Sequence, residues 1–373
     1  MQQHCHRGQV QRGKAHIPGL VGAGLAALLL AGCATKHPTP EEAGLPTTAQ
    51  YIAEAGVRDD RGRFRELFCT SLEEHGQQLF GYRACEESLV NDPAEPAGTG
   101  AKPELLGSKG EYLTLIVPGL GWECLAEWLD YDMSGPKHIA RFGFEARMVP
   151  VAGLSSSEHN ARQIRDYIAA LPEEDADRKL ILLGYSKGAP DALVALASYP
   201  EVAERVVAMV SLAGAVKGSP LADDAKQADA NLLTLFPGSK CEKGDEGAVD
   251  SLKTAERLAF LEEHELPEHI AYYSIVTSAS PERISFGLRP SYNSLSKIDP
   301  RNDSQLLFYD QMIPGSTLLA LLDGDHWAVA VPVAENHEFI AGVLVDQNKF
   351  PREALMEATV RYIELDLAEK SGE

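Results

Sequence analysis

The stretch DRKLILLGYSKGAPDALVALASYP, residues 177–200, joins a short apolar run to a longer helical pattern through the pentapeptide GYSKG at 184–188. The run at 180–183 is typical of a buried strand, and residues 189–197 have the composition of a helix. A serine in the middle of a G-x-S-x-G sequence therefore falls at a strand-to-helix junction. That position makes Ser186 the first candidate for a catalytic residue.

This junction predicts a turn so tight that Ser186 takes a strained backbone conformation, with its hydroxyl projecting clear of the sheet. A Cβ atom at either flanking position would clash with the neighbouring strand or helix, which explains Gly184 and Gly188. The bare motif is common by chance, so its place in the fold gives it meaning.

Apolar runs and amphipathic segments alternate along the rest of the chain. Strand-like segments lie at 112–118, 144–151, 205–215, 270–279 and 316–326, and helix-like segments lie at 124–133 and 157–171. This rhythm predicts an α/β domain with a doubly wound, mostly parallel sheet and helices on both faces.

Four motifs resemble those of the α/β-hydrolase superfamily, most closely its lipase and esterase branch. They are PGLGWEC at 118–124, GYSKG at 184–188, GSPLAD at 218–223 and DGDHWA at 323–328. The resemblance covers roughly residues 110–368, and the predicted α/β-hydrolase domain is 111–368. It implies an α/β-hydrolase domain with a cap at 220–268, and ester hydrolysis through an acyl-serine without a metal or organic cofactor.

A serine hydroxyl needs a base to take its proton. In this fold the acid and then the histidine follow the serine along the chain. His326 lies at the carboxyl end of the last predicted strand, at the sheet edge where ligands bind. We therefore predict Ser186 as nucleophile and His326 as base; His159 follows another strand but precedes the serine.

Several carboxylates in the sequence could be the acid that orients the histidine. Asp303 lies between the last two predicted strands, and its Asn-Asp pair resembles the Asn-Asp-Gly loop of bacterial lipases, with Ser304 in place of the glycine. We take Asp303 as the acid and expect Asp325 to be structural. The alternatives left open are Asp310 as the main rival, followed by Asp299 and Glu282.

Two backbone N–H groups should stabilise the charge that develops on the substrate oxygen. One is the amide of Lys187, directly after the nucleophile. The other is the amide of Leu120 or of Gly121, in the glycine-rich loop after the first core strand. The Lys187 side chain is expected to face solvent.

The first 32 residues predict a signal peptide, with a basic start and the apolar run GLVGAGLAALLLAG at 19–32. The sequence LAGC resembles the lipobox of bacterial lipoproteins, which implies cleavage before Cys33 and a lipid anchor on that cysteine. We expect a periplasm-facing envelope protein. The outer membrane is favoured over the inner one because Ala34 follows Cys33, where an aspartate would indicate retention in the inner membrane. Beyond the anchor we expect a tether at 33–48, a helical element at 49–90 and a linker at 91–110.

Export to an oxidising compartment favours disulfides among the four remaining cysteines. Three pairings are possible; we expect Cys69 with Cys85 and Cys124 with Cys241. No C-x-x-C or H-x-x-x-H spacing predicts a metal site. The net charge of −21 argues against nucleic acid as a partner.

Together these features predict a serine hydrolase that acts on small-molecule or lipid esters. An acyltransferase or a thioesterase would use the same residues. A catalytically silent binding lipoprotein is the alternative from another class, because fold alone does not fix function.

Overall fold

A computed structural model describes residues 39–125, 134–235, 239, 241 and 243–372. Within these residues, seven parallel strands form one sheet in the order β1-β7-β6-β5-β4-β2-β3. The strands are β1 (Arg58–Asp59), β2 (Tyr112–Val117), β3 (Ala146–Met148), β4 (Lys179–Tyr185), β5 (Val206–Leu212), β6 (Ala271–Thr277) and β7 (Thr317–Leu322). The predicted α/β class with a parallel sheet is confirmed.

Helices precede, connect and follow these strands. They are α1 (Thr48–Glu54), α2 (Arg61–Ser71), α3 (Cys85–Ser88), α4 (Trp122–Leu125), α5 (Ser134–Ala140), α6 (Ser157–Ala169), α7 (Gly188–Ser198), α8 (Pro200–Ala203), α9 (Pro220–Asp224), α10 (Gln227–Asn231), α11 (Thr254–Glu263), α12 (Arg289–Leu295), α13 (Val333–Asn336), α14 (Glu338–Leu344) and α15 (Arg352–Ser371). One π-helical turn, Leu72–Gly76, extends α2.

The strand β1 at one edge of the sheet was not predicted. It has only two residues, both charged, so no apolar run marks it in the sequence. It pairs with β7, and the Arg58 and Asp60 amides donate to the carbonyls of Ser316 and Leu318. Edge pairing alone therefore creates this strand, without a hydrophobic pattern of its own.

Both faces of the sheet are covered by helices. On one face, Phe64 and Phe68 of α2 pack with Tyr362 of α15 against strand side chains. On the other face, Ile164 of α6 and Leu193 of α7 pack against the sheet. The helix α2 of the predicted 49–90 element is therefore buried against the sheet.

None of the helices in the described part of the chain is long and apolar enough to span a membrane. The predicted signal peptide and the lipid anchor at Cys33 lie outside the described residues, so they stay predictions.

Candidate active site

The turn between β4 and α7 has the geometry that the sequence predicts. Ser186 has φ +53°, in the left-handed region that side chains rarely adopt. A Cβ on Gly184 would lie 2.5 Å from the Cα of Ala189, and a Cβ on Gly188 would lie 2.0 Å from the Val117 carbonyl oxygen. Both glycines are therefore required by close backbone approach.

The structure brings Ser186, His326 and Asp303 together. Nε2 of His326 lies 2.9 Å from the Ser186 Oγ, and Nδ1 lies 2.8 Å from Oδ2 of Asp303. Because an ionised carboxylate only accepts hydrogen bonds, Nδ1 donates to Asp303 and leaves Nε2 to accept from the serine. The His326 amide also donates to the Asp303 carbonyl, at 2.8 Å. The three groups form one continuous chain of hydrogen bonds.

Asp303 is fully buried, and its carboxylate is held by several donors. Its Oδ1 accepts from the amides of Gln305 and Leu306 at 2.9 and 2.7 Å. Its Oδ2 accepts from the hydroxyl of Thr277 as well as from His326. These donors fix the orientation of the carboxylate beside the His326 ring.

The other acids considered from the sequence make different contacts. Burial raises the pKa of Asp310 to about 7. Asp299 forms a two-pronged ion pair with Arg301, and Glu282 is exposed in the short turn Pro281–Arg283. Among the described carboxylates, only Asp303 hydrogen-bonds to the His326 ring.

Asp325 contacts the backbone rather than the histidine ring. Its Oδ1 accepts from the amides of Trp327 and Ala328, and its Oδ2 accepts from the amide of Ser285. It therefore holds the loop that follows β7.

The two amides proposed from sequence for the second oxyanion donor differ in their partners. The Gly121 amide donates to the Gly153 carbonyl at 3.1 Å. The Leu120 amide has no hydrogen-bond partner among the described residues, and neither does the amide of Lys187. The loop also lies against Ser186, because a Cβ on Gly119 would be 2.9 Å from the Ser186 Cβ. Leu120 and Lys187 are thus the two amides available to a ligand.

The prediction that the Lys187 side chain faces solvent is wrong. Only 1% of this residue is exposed, and its Nζ donates to both carboxylate oxygens of Asp191, at 2.7 and 3.0 Å. Asp191 also accepts from Ser157 and Asn160 of α6. Lys187 precedes Asp191 by one helical turn, so both point into the contact between α6 and α7.

Tyr185 is a functional candidate that sequence reasoning missed. Its hydroxyl donates to the His326 carbonyl at 2.8 Å, and its ring stacks on the imidazole with 5.3 Å between centroids. Burial raises the pKa of this hydroxyl well above its ordinary value, which keeps it protonated as a donor. The place of Tyr185 directly before Ser186 in the GYSKG motif is the signal in the sequence that could have pointed to it.

Ser186 and His326 open into a mostly apolar cavity of about 1230 Å³, its open mouth included. Residues of the predicted cap segment 220–268 contribute Leu221, Ala222, Ala225, Leu233, Val249 and Leu252 to its wall. The polar side chains of Ser219 and Gln305 also line it. Such a cavity suits an apolar chain attached to a polar reacting group.

Both predicted disulfides are present. Cys69 pairs with Cys85, and Cys124 pairs with Cys241. The second bond joins α4, which directly follows the Leu120 loop, to Cys241 in the predicted cap segment 220–268. No group of three or more His, Cys, Asp or Glu side chains within the described ranges is placed to hold a metal ion.

The parallel sheet, the tight turn at Ser186 and the hydrogen-bonded serine, histidine and aspartate define an α/β-hydrolase. The crystal structure of the metagenomic carboxyl esterase MGS0156 is similar to this chain, with 38% sequence identity and a TM-score of 0.78. The similarity covers 86% of this chain and 96% of that esterase. The chain belongs to the same α/β-hydrolase family as this esterase.

A second relative is a triacylglycerol lipase from Vibrio cholerae serotype O1. It is 30% identical over 132 residues, which are 34% of this chain and 40% of the lipase. The matched part thus spans well under two thirds of the lipase. No family model matches the sequence.

Proposed function

We propose that the protein is a serine hydrolase that cleaves carboxylic esters through an acyl-serine intermediate. The observation that carries this proposal is the chain of hydrogen bonds from Asp303 through His326 to Ser186, with 2.8 and 2.9 Å between heavy atoms. The related esterase and lipase support ester hydrolysis as the reaction.

In the first half of the reaction, Nε2 of His326 takes the proton of Ser186 as its Oγ attacks the ester carbonyl carbon. Asp303 stabilises the imidazolium that forms. The carbon–oxygen bond to the alcohol then breaks, and His326 gives its proton to the departing alkoxide.

In the second half, water enters in place of the alcohol. His326 takes a proton from the water as the water oxygen attacks the acyl carbon. The bond to Ser186 breaks, the serine recovers its proton from His326, and a carboxylic acid leaves.

The oxyanion of each tetrahedral intermediate accepts hydrogen bonds from the amides of Leu120 and Lys187. These donors are fixed before the substrate arrives, so they need no reorganisation as charge develops. The buried ion pair between Lys187 and Asp191 holds the first residue after the nucleophile in one conformation.

Labelling with a fluorophosphonate tests this proposal. The full chain in mild detergent is treated with the reagent, digested and mapped by peptide mass spectrometry. We expect an adduct on Ser186 and its loss in His326→Ala, since without the base the hydroxyl is a poor nucleophile. Hydrolysis of p-nitrophenyl esters should fall roughly 10⁴-fold or more in Ser186→Ala.

Ser219 supplies a matched control. It lines the same cavity, but its hydroxyl donates to the Gln305 carbonyl at 2.6 Å instead of to a histidine. We expect no adduct on Ser219 and full labelling of Ser186 in Ser219→Ala. A folded protein that takes no label at Ser186 would contradict the proposal and favour a binding lipoprotein.

A further inference from the structure

A second cavity lies beside the one that contains Ser186. Trp122 and Tyr185 line both cavities, so they form part of the wall between them. The second cavity has about 930 Å³ of space, its open mouth included. Its lining is mostly apolar and includes Ile116, Met148, Leu183, Ile275, Val329 and Leu355.

Arg352 is the only charged side chain among the described residues that line this second cavity. It is 7% exposed. Its Nη1 donates to the carbonyls of Ala328 and Asn348, at 2.7 and 2.9 Å. Its Nε is buried without a partner, and its Nη2 has no partner among the described residues. One edge of the guanidinium is therefore unused.

The nearest carboxylates do not pair with this arginine. Glu353, Glu335 and Asp325 affect Arg352 only through their charges, without a hydrogen bond to it. Asp325 is occupied by backbone amides, and burial raises the pKa values of both Asp325 and Glu335, which favours their neutral forms. A buried cation without a contact partner is costly, and buried polar groups are almost always hydrogen-bonded.

Nη2 is the accessible part of this unused edge, because Nε is enclosed by the protein. A guanidinium N–H without a partner donates most strongly to an ionised acceptor, and a carboxylate oxygen is such an acceptor for Nη2. The apolar walls around Arg352 match an aliphatic chain attached to such a head group. The ligand that satisfies both features is a carboxylate amphiphile.

We propose that the second cavity binds the carboxylate of a fatty-acid-like amphiphile at Arg352, with its aliphatic chain among the apolar residues of the wall. This site is separate from the Ser186 cavity, and its occupation requires no bond to be made or broken. The inference therefore does not depend on the proposed hydrolysis.

Isothermal titration of the full chain with decanoate, below its micelle concentration, tests the inference. Decanol is the uncharged comparison. We expect Arg352→Gln to weaken decanoate binding about tenfold or more and to leave decanol binding within about twofold. Arg83→Gln is the matched control, because Arg83 is equally buried and donates to the carbonyls of Asp323 and Lys349 but does not line the cavity. We expect it to leave decanoate binding unchanged.

A second variant keeps the test decisive if Arg352→Gln fails to fold. Met356 is half-buried and lines the cavity, so Met356→Trp should fill it and abolish the site for both ligands. Circular dichroism checks that each variant is folded. Decanoate binding that survives undiminished in folded Met356→Trp belongs to the Ser186 cavity and overturns the inference. Equal affinities for decanoate and decanol, or no saturable binding, overturn it as well.

Discussion

Replacing Ser304 with glycine is expected to stabilise the protein, because two features of the native residue are unfavourable. Ser304 has φ +83°, in the region that favours glycine. Its hydroxyl is buried and has no hydrogen-bond partner. It directly follows Asp303, so this strain lies in the loop that holds the acid of the candidate site.

The size of the effect follows from three contributions. A non-glycine residue in a sparsely populated backbone region costs about 1–3 kcal/mol. A buried hydroxyl without a partner costs about 1–3 kcal/mol. Glycine offsets part of this gain, because the freedom of the unfolded chain costs it about 0.4–1 kcal/mol. We therefore expect Ser304→Gly to raise the free energy of unfolding by at least ~1 kcal/mol, and Tm by about 2 °C or more.

Thermal and urea unfolding, followed by circular dichroism, measure both quantities. Ala213→Gly is the matched control, since Ala213 has φ +45° and is fully buried but carries no hydroxyl. Its strain relief is offset by the loss of a buried methyl group, about 0.8 kcal/mol, so we expect a smaller gain. A lower Tm for Ser304→Gly than for the wild type would refute the reasoning about strain.

Two further predictions concern buried hydroxyl and carboxyl groups. Tyr185→Phe leaves the His326 carbonyl without its donor, so kcat for ester hydrolysis should fall about tenfold at unchanged KM. Tyr272→Phe is the control: it removes a hydroxyl that donates to the Pro267 carbonyl, and it should leave kcat unchanged. A kcat for Tyr185→Phe within twofold of the wild type would count against this role. Burial raises the pKa of Asp310 from 3.8 to about 7, so between these values the folded state holds a proton that the unfolded state has lost, and stability falls as pH rises. Asp310→Asn should therefore increase the free energy of unfolding more at pH ~8 than at pH ~4, with a difference of up to ~4 kcal/mol. Urea titrations at the two pH values measure this difference, and equal effects would contradict the prediction.

The strands that carry the site could be predicted because they are buried on both faces. The apolar runs of β2, β4, β5, β6 and β7 stand out from polar connections, and the glycines around Ser186 mark the turn. These features are local, so one sequence shows them. The order of the residues along the chain then suggests His326 and Asp303.

The details that could not be predicted depend on partners distant in the sequence. The amide of Gly121 is occupied only because the Gly153 carbonyl lies beside it, and this leaves Leu120 as the available donor. The Nζ of Lys187 donates to Asp191, which also accepts from Ser157 and Asn160 of α6. Asp191 lies one helical turn from the lysine, but these α6 residues precede Asp191 by 34 and 31 positions, so the sequence around Lys187 gives no sign that the pair is buried.

The structure of the loop that carries His326 also depends on residues distant in the sequence. It is irregular backbone in a largely buried region, so its N–H and C=O groups cannot all bond within a helix or sheet. Side chains satisfy them instead: Asp325 accepts from the Ala328 amide, Arg352 donates to the Ala328 carbonyl, and Tyr185 donates to the His326 carbonyl. These contacts, rather than a helix or a strand, hold His326 in position.

The contact made by Tyr185 has a consequence for the reaction. Tyr185 is the last residue of β4, and the next residue is Ser186. The strand that leads to Ser186 therefore also holds the carbonyl of His326, through a hydrogen bond of 2.8 Å. A displacement of β4 moves Ser186 and its anchor on His326 together, so the 2.9 Å separation between Oγ and Nε2 is preserved. Since the proposed proton transfer requires this separation to stay within hydrogen-bond reach, we expect Tyr185 to protect that step.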